Sequence, residues 1–391
     1  MSFLMSATMA RHDAPTAAPN ISLSPARSST ATESRRTLII ASQWVGDAIL
    51  SLPLLADLRR AGRTLDVLAL PSVAAVYRCS PAVQTVHEVA FARGQLQWRL
   101  RRRIARDLRG RYEMAVVLPN SLKSALIPWL AGIPLRRGMI GEARYGLIND
   151  RRKPPAPPIQ RSSHSGRAQR IPMIAHYLQL ADHPRPLTDI DPLGNDRPRL
   201  KLPATVAPPA ASGPLLVLCP GAEYGPAKRW PAEYFAQTAA HWLSRSLQHQ
   251  VIVLGGPKER VLCDAIREQT LSIMQSPPPA GVGPIALSAA HEKRISSLAG
   301  QTTLLDAFGW IANADRVISN DSGLMHAAAA LDTPVIALFG STDPVHTPPH
   351  SDRAEILHLG LSCSPCFQRD CPLGTTACLR ELMPERVIAR I

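Results

Sequence analysis

The stretch from Asp315 to Leu338 sets the tightest limit on the fold. Arg316-Val317-Ile318-Ser319 is a short run with β-branched residues, and Asn320-Asp321-Ser322-Gly323 is turn chemistry. Leu324–Leu331 is an Ala-rich helix former, stopped by Pro334 before the apolar run Val335–Phe339. Strand, tight turn, helix and strand in that order make half of a parallel α/β unit, because parallel strands need a crossover connection. Asp321 or Ser322 is expected to cap the helix. Gly323 is expected to let a ligand approach the backbone. Free N–H groups at the positive end of the helix dipole make this corner an anion site, with His326 one turn in.

The same alternation runs through the rest of the chain. Arg36–Ser42 reads as a buried strand, Gln43–Asp47 as a turn, and Ala48–Arg60 as a helix with Ile49, Leu52, Leu55 and Leu58 on one stripe. Strands follow at Leu65–Leu70, Thr85–Val89, Glu113–Leu118 and Arg136–Ile140, with helices at Gly94–Arg109, Ser121–Ala131 and Ile171–Ala181. Arg151–Arg170 is Pro-rich and basic and reads as an exposed loop. Pro recurs without periodicity from Asp182 to Gly213, and the latter part reads as an interdomain linker. The pattern then restarts with a strand at Leu215–Cys219, a helix at Pro231–Ser244, a strand at Val251–Leu254 and a helix at Lys258–Gln269. A Pro/Gly loop at Ser272–Gly283 and a helix at Leu304–Asn313 lead back to the opening stretch. The fold class is therefore α/β, with two Rossmann-like domains, 36–200 and 201–391, facing a central cleft. Residues 1–35 are rich in Ser, Thr, Ala and Pro, lack the apolar core of a secretory signal, and read as a disordered extension.

No Walker sequence occurs, and Gly281-Val282-Gly283-Pro284-Ile285-Ala286 lacks a preceding strand, so it is no dinucleotide fingerprint. No apolar run reaches the roughly 18 residues of a membrane span. The net charge of +14 is uneven. Residues 1–200 hold 29 Lys and Arg against 14 Asp and Glu, whereas residues 201–391 hold 15 against 16. A basic half suggests an anionic partner: nucleic acid, anionic lipid, or a phosphorylated or carboxylated substrate. A generally Arg-rich composition accounts for it equally. Arg93–Arg111 alone carries eight Arg and one Asp on an amphipathic helix, with Trp98 among them. Such a helix lies on an anionic membrane or simply solvates its Arg face. A nucleic-acid module stays open on charge, but stacking aromatics other than Trp98 do not interleave with the Arg runs.

Four places carry candidate chemistry. Asp47 directly follows the first strand, where it serves as a helix N-cap or as a base at the mouth of the cleft. Pro220-Gly221-Ala222-Glu223-Tyr224-Gly225-Pro226-Ala227-Lys228-Arg229-Trp230-Pro231 is a Gly-rich loop with adjacent cations. Lys228 suits a diphosphate, against the plainer reading of a solvated pair. Glu259, after Gly255-Gly256, is placed either for ribose hydroxyls or to favour a helix start. Thr342 and Asp343 follow the last strand of the opening unit, at the sugar end of a site or in a capped turn.

There are seven cysteines. Cys79, Cys219 and Cys263 sit in apolar contexts and read as buried thiols. Cys363, Cys366, Cys371 and Cys378 have a spacing compatible with Zn²⁺, but without a second close pair. Reduced packed thiols or a labile disulfide are the favoured reading, and no metal site is assigned.

Ser42-Gln43-Trp44-Val45-Gly46-Asp47, the Pro220–Pro231 loop and Asp321-Ser322-Gly323-Leu324-Met325-His326 fall in the order and spacing of one family. Over residues 36–391 the chain resembles glycosyltransferase family 9, the lipopolysaccharide heptosyltransferases, in its heptosyltransferase II branch. The resemblance implies a GT-B fold and metal-independent, inverting transfer of heptose from ADP-heptose to the first heptose of the inner core on Kdo–lipid A. It implies Asp47 as base and Lys228 at the leaving phosphate. Gly221, Lys228, Glu259, Asp321, Ser322, Gly323, His326 and Asp343 would hold the donor, with no cofactor. It implies a cytoplasmic enzyme, peripheral at the inner face of the inner membrane. A family member with a different donor or acceptor is the alternative.

Overall fold

The computed structural model describes residues 21–22, 35–92, 94–155, 170–206, 213–275 and 292–391. The first sheet contains β1 (Ile21–Ser22), β2 (Arg36–Ile40), β3 (Thr64–Ala69), β4 (Val83–Val89), β5 (Met114–Val117), β6 (Leu135–Met139) and β7 (Asp150–Arg152). Its order is β1-β4-β3-β2-β5-β6-β7, with β1 antiparallel to β4 and every other pair parallel. The second contains β8 (Leu215–Cys219), β9 (Gln250–Val253), β10 (Ile295–Ser297), β11 (Arg316–Asn320), β12 (Val335–Phe339) and β13 (Ala354–His358). Its order is β10-β9-β8-β11-β12-β13, parallel throughout. Every residue of β8 and of β12 is buried, as a parallel sheet covered on both faces requires.

Leaving aside the edge strand β1, both sheets start at a central strand and grow first to one side and then to the other. The order therefore reverses between β2 and β5, and again between β8 and β11. Ligand crevices in such sheets lie beyond the strand carboxyl ends at these reversals. Asp47 follows β2, Gly221 follows β8, and Asp321 to His326 follow β11. The arrangement thus puts Asp47, the Gly221 loop and the Asp321–His326 turn at the two crevices.

Several elements depart from the sequence reading. The helix expected at 48–60 is two helices, Val45–Leu50 and Leu52–Arg60. The Ser51 hydroxyl donates back to Ala48 O at 2.7 Å, and Pro53 has no N–H for the ladder. The helix Pro71–Arg78 and the short edge strands β7, β10 and β13 were not anticipated. The strand β13 alternates too weakly to stand out, and β7 carries two Arg. Ile21–Ser22 pair with Val89 and Glu88, so the extension of residues 1–35 is not wholly outside the fold. The helix begun near Lys258 runs to Gln275, past the expected loop start at Ser272. The Gly281–Ala286 run and the Pro-rich 156–169 segment lie outside the described residues.

The domains share a core. One apolar cluster includes Ile39, Ile49 and Leu54 of the first domain and Val217, Phe308 and Ala327 of the second. Backbone bonds cross between them: Leu200 N to Ala330 O at 3.0 Å, Lys201 N to Cys79 O at 2.8 Å and Met173 N to His346 O at 2.9 Å. Arg197, before the linker's end, donates to Asp332 at 2.5 Å, Ser351 Oγ at 2.8 Å and Ala329 O at 3.0 Å.

Much of the Arg excess is structural. Arg63 and Arg137 share the Asp182 carboxylate, and Arg137 also holds Asp150. Arg101 donates to Leu96 O and Lys123 O, and Arg144 to Pro119 O and Met139 O. These guanidiniums serve as multi-point donors that close loops.

Candidate functional site

The carboxyl ends of β2 and β11 meet across the domain seam. Val45 and Gly46, in the first turn of the helix Val45–Leu50, lie against Gly323 and His326 of the helix Gly323–Ala330. A Cβ on Gly323 would sit 2.7 Å from Val45 Cβ, and one on Gly46 3.0 Å from His326 Cδ2. Gly323 has no room for a Cβ beside the Val45 side chain, and a Cβ on Gly46 would press on the His326 ring. Gly323 was expected to admit a ligand; its close neighbour is the other domain.

Asp47 is the third residue of its helix, and Trp44 holds the N-cap position. A pure cap role is therefore excluded. Burial raises its carboxyl from 3.8 to about 6, and the charge of Lys228 on the opposite domain opposes that rise. A base that titrates there is ionised at neutral pH yet still basic enough to take a proton.

Asp321 and Ser322 do not cap the helix Gly323–Ala330 through their side chains. Ser322 is the N-cap residue, but its hydroxyl lies 3.2 Å from Ser319 Oγ. Asp321 is buried, and its Oδ2 accepts from Lys228 Nζ at 2.5 Å and from Thr342 Oγ1 at 2.5 Å. The carboxylate orients the ammonium and would otherwise be an uncompensated buried charge. His326 is buried, and burial lowers its pKa from 6.5 to about 4, partly offset by Asp321. At neutral pH it presents a neutral imidazole at the seam.

The Pro220–Trp230 loop is held at both ends by Asn320. Its Oδ1 accepts from Trp230 N at 3.0 Å and its Nδ2 donates to Pro220 O at 2.7 Å. Tyr224 donates to Phe367 O at 2.6 Å, and Ala227 N to Arg369 O at 3.0 Å, so the loop near residue 367 lies on the Lys228 loop. Lys228 Nζ also sits 4.8 Å from the centre of the Tyr224 ring. Gly221 packs on the Glu259 carboxylate, and any Cβ there would displace it. Glu259 Oε2 accepts from Gly256 N at 2.8 Å, so this residue closes its own turn while facing Gly221.

Asp343 stands apart. Its Oδ1 accepts from Val345 N at 2.8 Å and its carbonyl accepts from His346 N, which is turn chemistry. Thr342 is the residue there that joins the Asp321 centre. Asn320 and Tyr224 were missed as working residues: Asn320 read only as a turn former, and its partners lie about a hundred positions away. All seven cysteines are free, and among the described residues no group of three or more His, Cys, Asp or Glu is placed to hold a metal ion. Burial pushes the thiols of Cys79 and Cys378 up to about 11 and that of Cys263 to about 12.

The family model for glycosyltransferase family 9 (heptosyltransferase) matches residues 101–377. The chain belongs to glycosyltransferase family 9. This family 9 chain is 35% identical to lipooligosaccharide heptosyltransferase 2 of Haemophilus influenzae, covering 82% of this chain and 88% of that one. It is 33% identical to lipopolysaccharide heptosyltransferase 2 of Salmonella typhimurium, over 91% of this chain and 97% of the relative. The solved structure of E. coli ADP-heptose lps heptosyltransferase II superposes with a TM-score of 0.71 at 30% identity, covering 90% and 96% of the two chains. In this family 9 enzyme, a half-buried carboxylate from one domain faces a fixed ammonium and a helix N-terminus from the other. That arrangement suits deprotonation of a hydroxyl beside a departing anion.

Proposed function

We propose that this family 9 enzyme transfers heptose from ADP-heptose to the first heptose of the lipopolysaccharide inner core on a Kdo–lipid A acceptor. The observation that carries the reading is the packing of Val45 and Gly46, beside Asp47, against Gly323 and His326 of the other domain, which brings Asp47 within electrostatic range of Lys228. The relatives' names supply the donor and acceptor class.

In this reading Asp47 takes the proton of the acceptor hydroxyl as its oxygen attacks the anomeric carbon, and ADP leaves from the opposite face. The charge growing on the diphosphate is met by Lys228, held ready by Asp321 and Thr342, and by N–H groups at the start of the helix Gly323–Ala330. These groups need no metal to act. Gly221 and Glu259 are assigned to the ribose, and the neutral His326 imidazole serves as a hydrogen-bond partner at the seam. Closing the two domains excludes water that would hydrolyse the donor.

Among the described residues no helix is long and apolar enough to cross a membrane. We place the enzyme in the cytoplasm, against the inner face of the inner membrane where a lipid A-anchored acceptor is presented. The test is a product assay with ADP-heptose and a core acceptor carrying one heptose. A single added heptose with inverted anomeric configuration supports the reading. Turnover with another nucleotide sugar and none with ADP-heptose would replace it.

A further inference from the structure

We infer that the carboxyl rim of the first domain is a membrane-docking surface that rests on an anionic lipid bilayer. This rests on the proposed lipid-anchored acceptor. Among the described residues most exposed large apolar side chains of this domain lie just after its strands, the exceptions being Trp129 near the end of the helix Leu122–Leu130 and Leu193. Leu96 and Trp98 come after β4, Leu122 after β5, and Ile140 and Tyr145 after β6, each between 41% and 68% exposed. Only the rim faces the same way as the mouth of the cleft, because Asp47 follows β2 of the same sheet. In the second domain the exposed apolar residues, such as Leu247, Val261 and Met383, are scattered over different elements.

The rim loops are stitched into one body. Arg101 donates to both Leu96 O at 2.8 Å and Lys123 O at 2.9 Å, and Lys123 Nζ to Gly94 O at 2.8 Å. Leu122 N donates to Glu142 Oε2 at 3.0 Å, and Arg144 reaches back to Asn120 and Pro119. Presenting the apolar side chains costs little further ordering, since the loops are already fixed.

Exposed cations frame the apolar set: Arg99 and Arg102 in the first turns of the helix Trp98–Leu108, and Arg151 and Lys153 beside β7. The Arg151 guanidinium lies 5.4 Å from the centre of the Tyr145 ring. Glu142 is the rim's exposed carboxylate, and its Oε2 is engaged by the Leu122 N–H. Exposed Trp and Tyr bordered by Arg and Lys match the chemistry of a headgroup boundary with negative surface charge. So seated, the cleft opens toward the bilayer, and a sugar chain rising from a lipid reaches Asp47 without leaving the membrane.

The experiment compares wild type with Trp98→Ser/Leu122→Ser and with Arg99→Glu/Arg102→Glu. Cosedimentation uses phosphatidylethanolamine vesicles with and without about 30% phosphatidylglycerol. Wild type should partition to the anionic vesicles. The apolar pair should lower that partition about tenfold, and the charge-reversal pair should abolish its dependence on phosphatidylglycerol. Turnover of acceptor embedded in the vesicles should fall in parallel, while turnover of a de-acylated soluble acceptor stays within about twofold of wild type. That preserved turnover also certifies folding and leaves the assigned reaction intact. Unchanged vesicle partition in both variants overturns the proposal. Equal loss on the soluble acceptor also overturns it, because the rim would then be reading sugar rather than lipid.

Discussion

Asp47 draws its reactivity from the protein around it, and that can be tested by titration. Its carboxyl titrates near 6 because burial penalises the anion more than Lys228 favours it. The base must be ionised, so kcat/KM should rise with pH through about 6 and level off above. Lys228→Met removes the opposing cation and should move this limb to higher pH, besides weakening calorimetric ADP-heptose affinity about tenfold or more. A limb that stays in place would mean the two groups do not interact. Asp47→Asn should lower kcat by about 10³-fold or more while donor affinity stays within about twofold. The same substitution has a stability signature. A carboxyl raised in the folded state is stabilising only when protonated, so wild type loses this contribution as pH rises from about 4 through 6. His326 runs the other way: its pKa is depressed to about 4, so its contribution is lost as pH falls from 6.5 through 4. The two partly cancel in wild type. Asp47→Asn leaves the histidine effect unopposed, so acidification from pH 6.5 to 4 should cost that variant about 2–3 kcal/mol more than wild type in urea titrations.

Among the elements, the loop between β8 and its following helix depends on β11 rather than on its own turns. Asn320 holds both Pro220 O and Trp230 N from inside a fully buried position. Asn320→Ala leaves two buried backbone groups without partners, each costing about 1–3 kcal/mol. The expected result is a lowered melting temperature with a KM increase for ADP-heptose larger than any change in kcat. A fall in kcat alone would show that the loop is not what Asn320 positions. Tyr224 and Ala227 tie the same loop to the chain near residue 367, so the donor loop is clasped from two sides. The four C-terminal cysteines flank that clasp in the chain, Cys363 and Cys366 before it and Cys371 and Cys378 after it, as free thiols.

Over the molecule as a whole, the proposed catalytic arrangement forms where the domains touch. Gly46 and Gly323 allow that contact, and Gly323 has no room for a side chain beside Val45. Gly323→Val should push the domains apart. Small-angle scattering should then report a larger radius of gyration, and kcat/KM should fall by about 10²-fold, while the apolar clusters confined to one domain, around Ile104 in the first and Phe235 in the second, stay intact. An unchanged radius with full activity would show that the seam tolerates a side chain and is looser than drawn. Bonds from Leu200, Lys201 and Arg197 tie the segment between the two sheets to both of them.

Local patterning carried most of the architecture. Apolar runs separated by amphipathic stretches identified both nucleotide-type domains, since each parallel strand is buried on two faces and must be apolar throughout. The turns bearing Asp47, Lys228 and Asp321 were legible because glycines and charges crowd beside strand ends. The short edge strands and the helix Pro71–Arg78 escaped, being too brief or too uniform to show a period. What each polar residue does was settled by folding. Asp321 reads as a cap until Lys228 and Thr342 arrive from 93 and 21 positions away to occupy its carboxylate. Gly323 reads only as a residue open to a ligand until folding sets the Val45 side chain against it. Burial depth and long-range partners set pKa values and hydrogen-bond allegiance, and neither is encoded within a few residues of the group concerned.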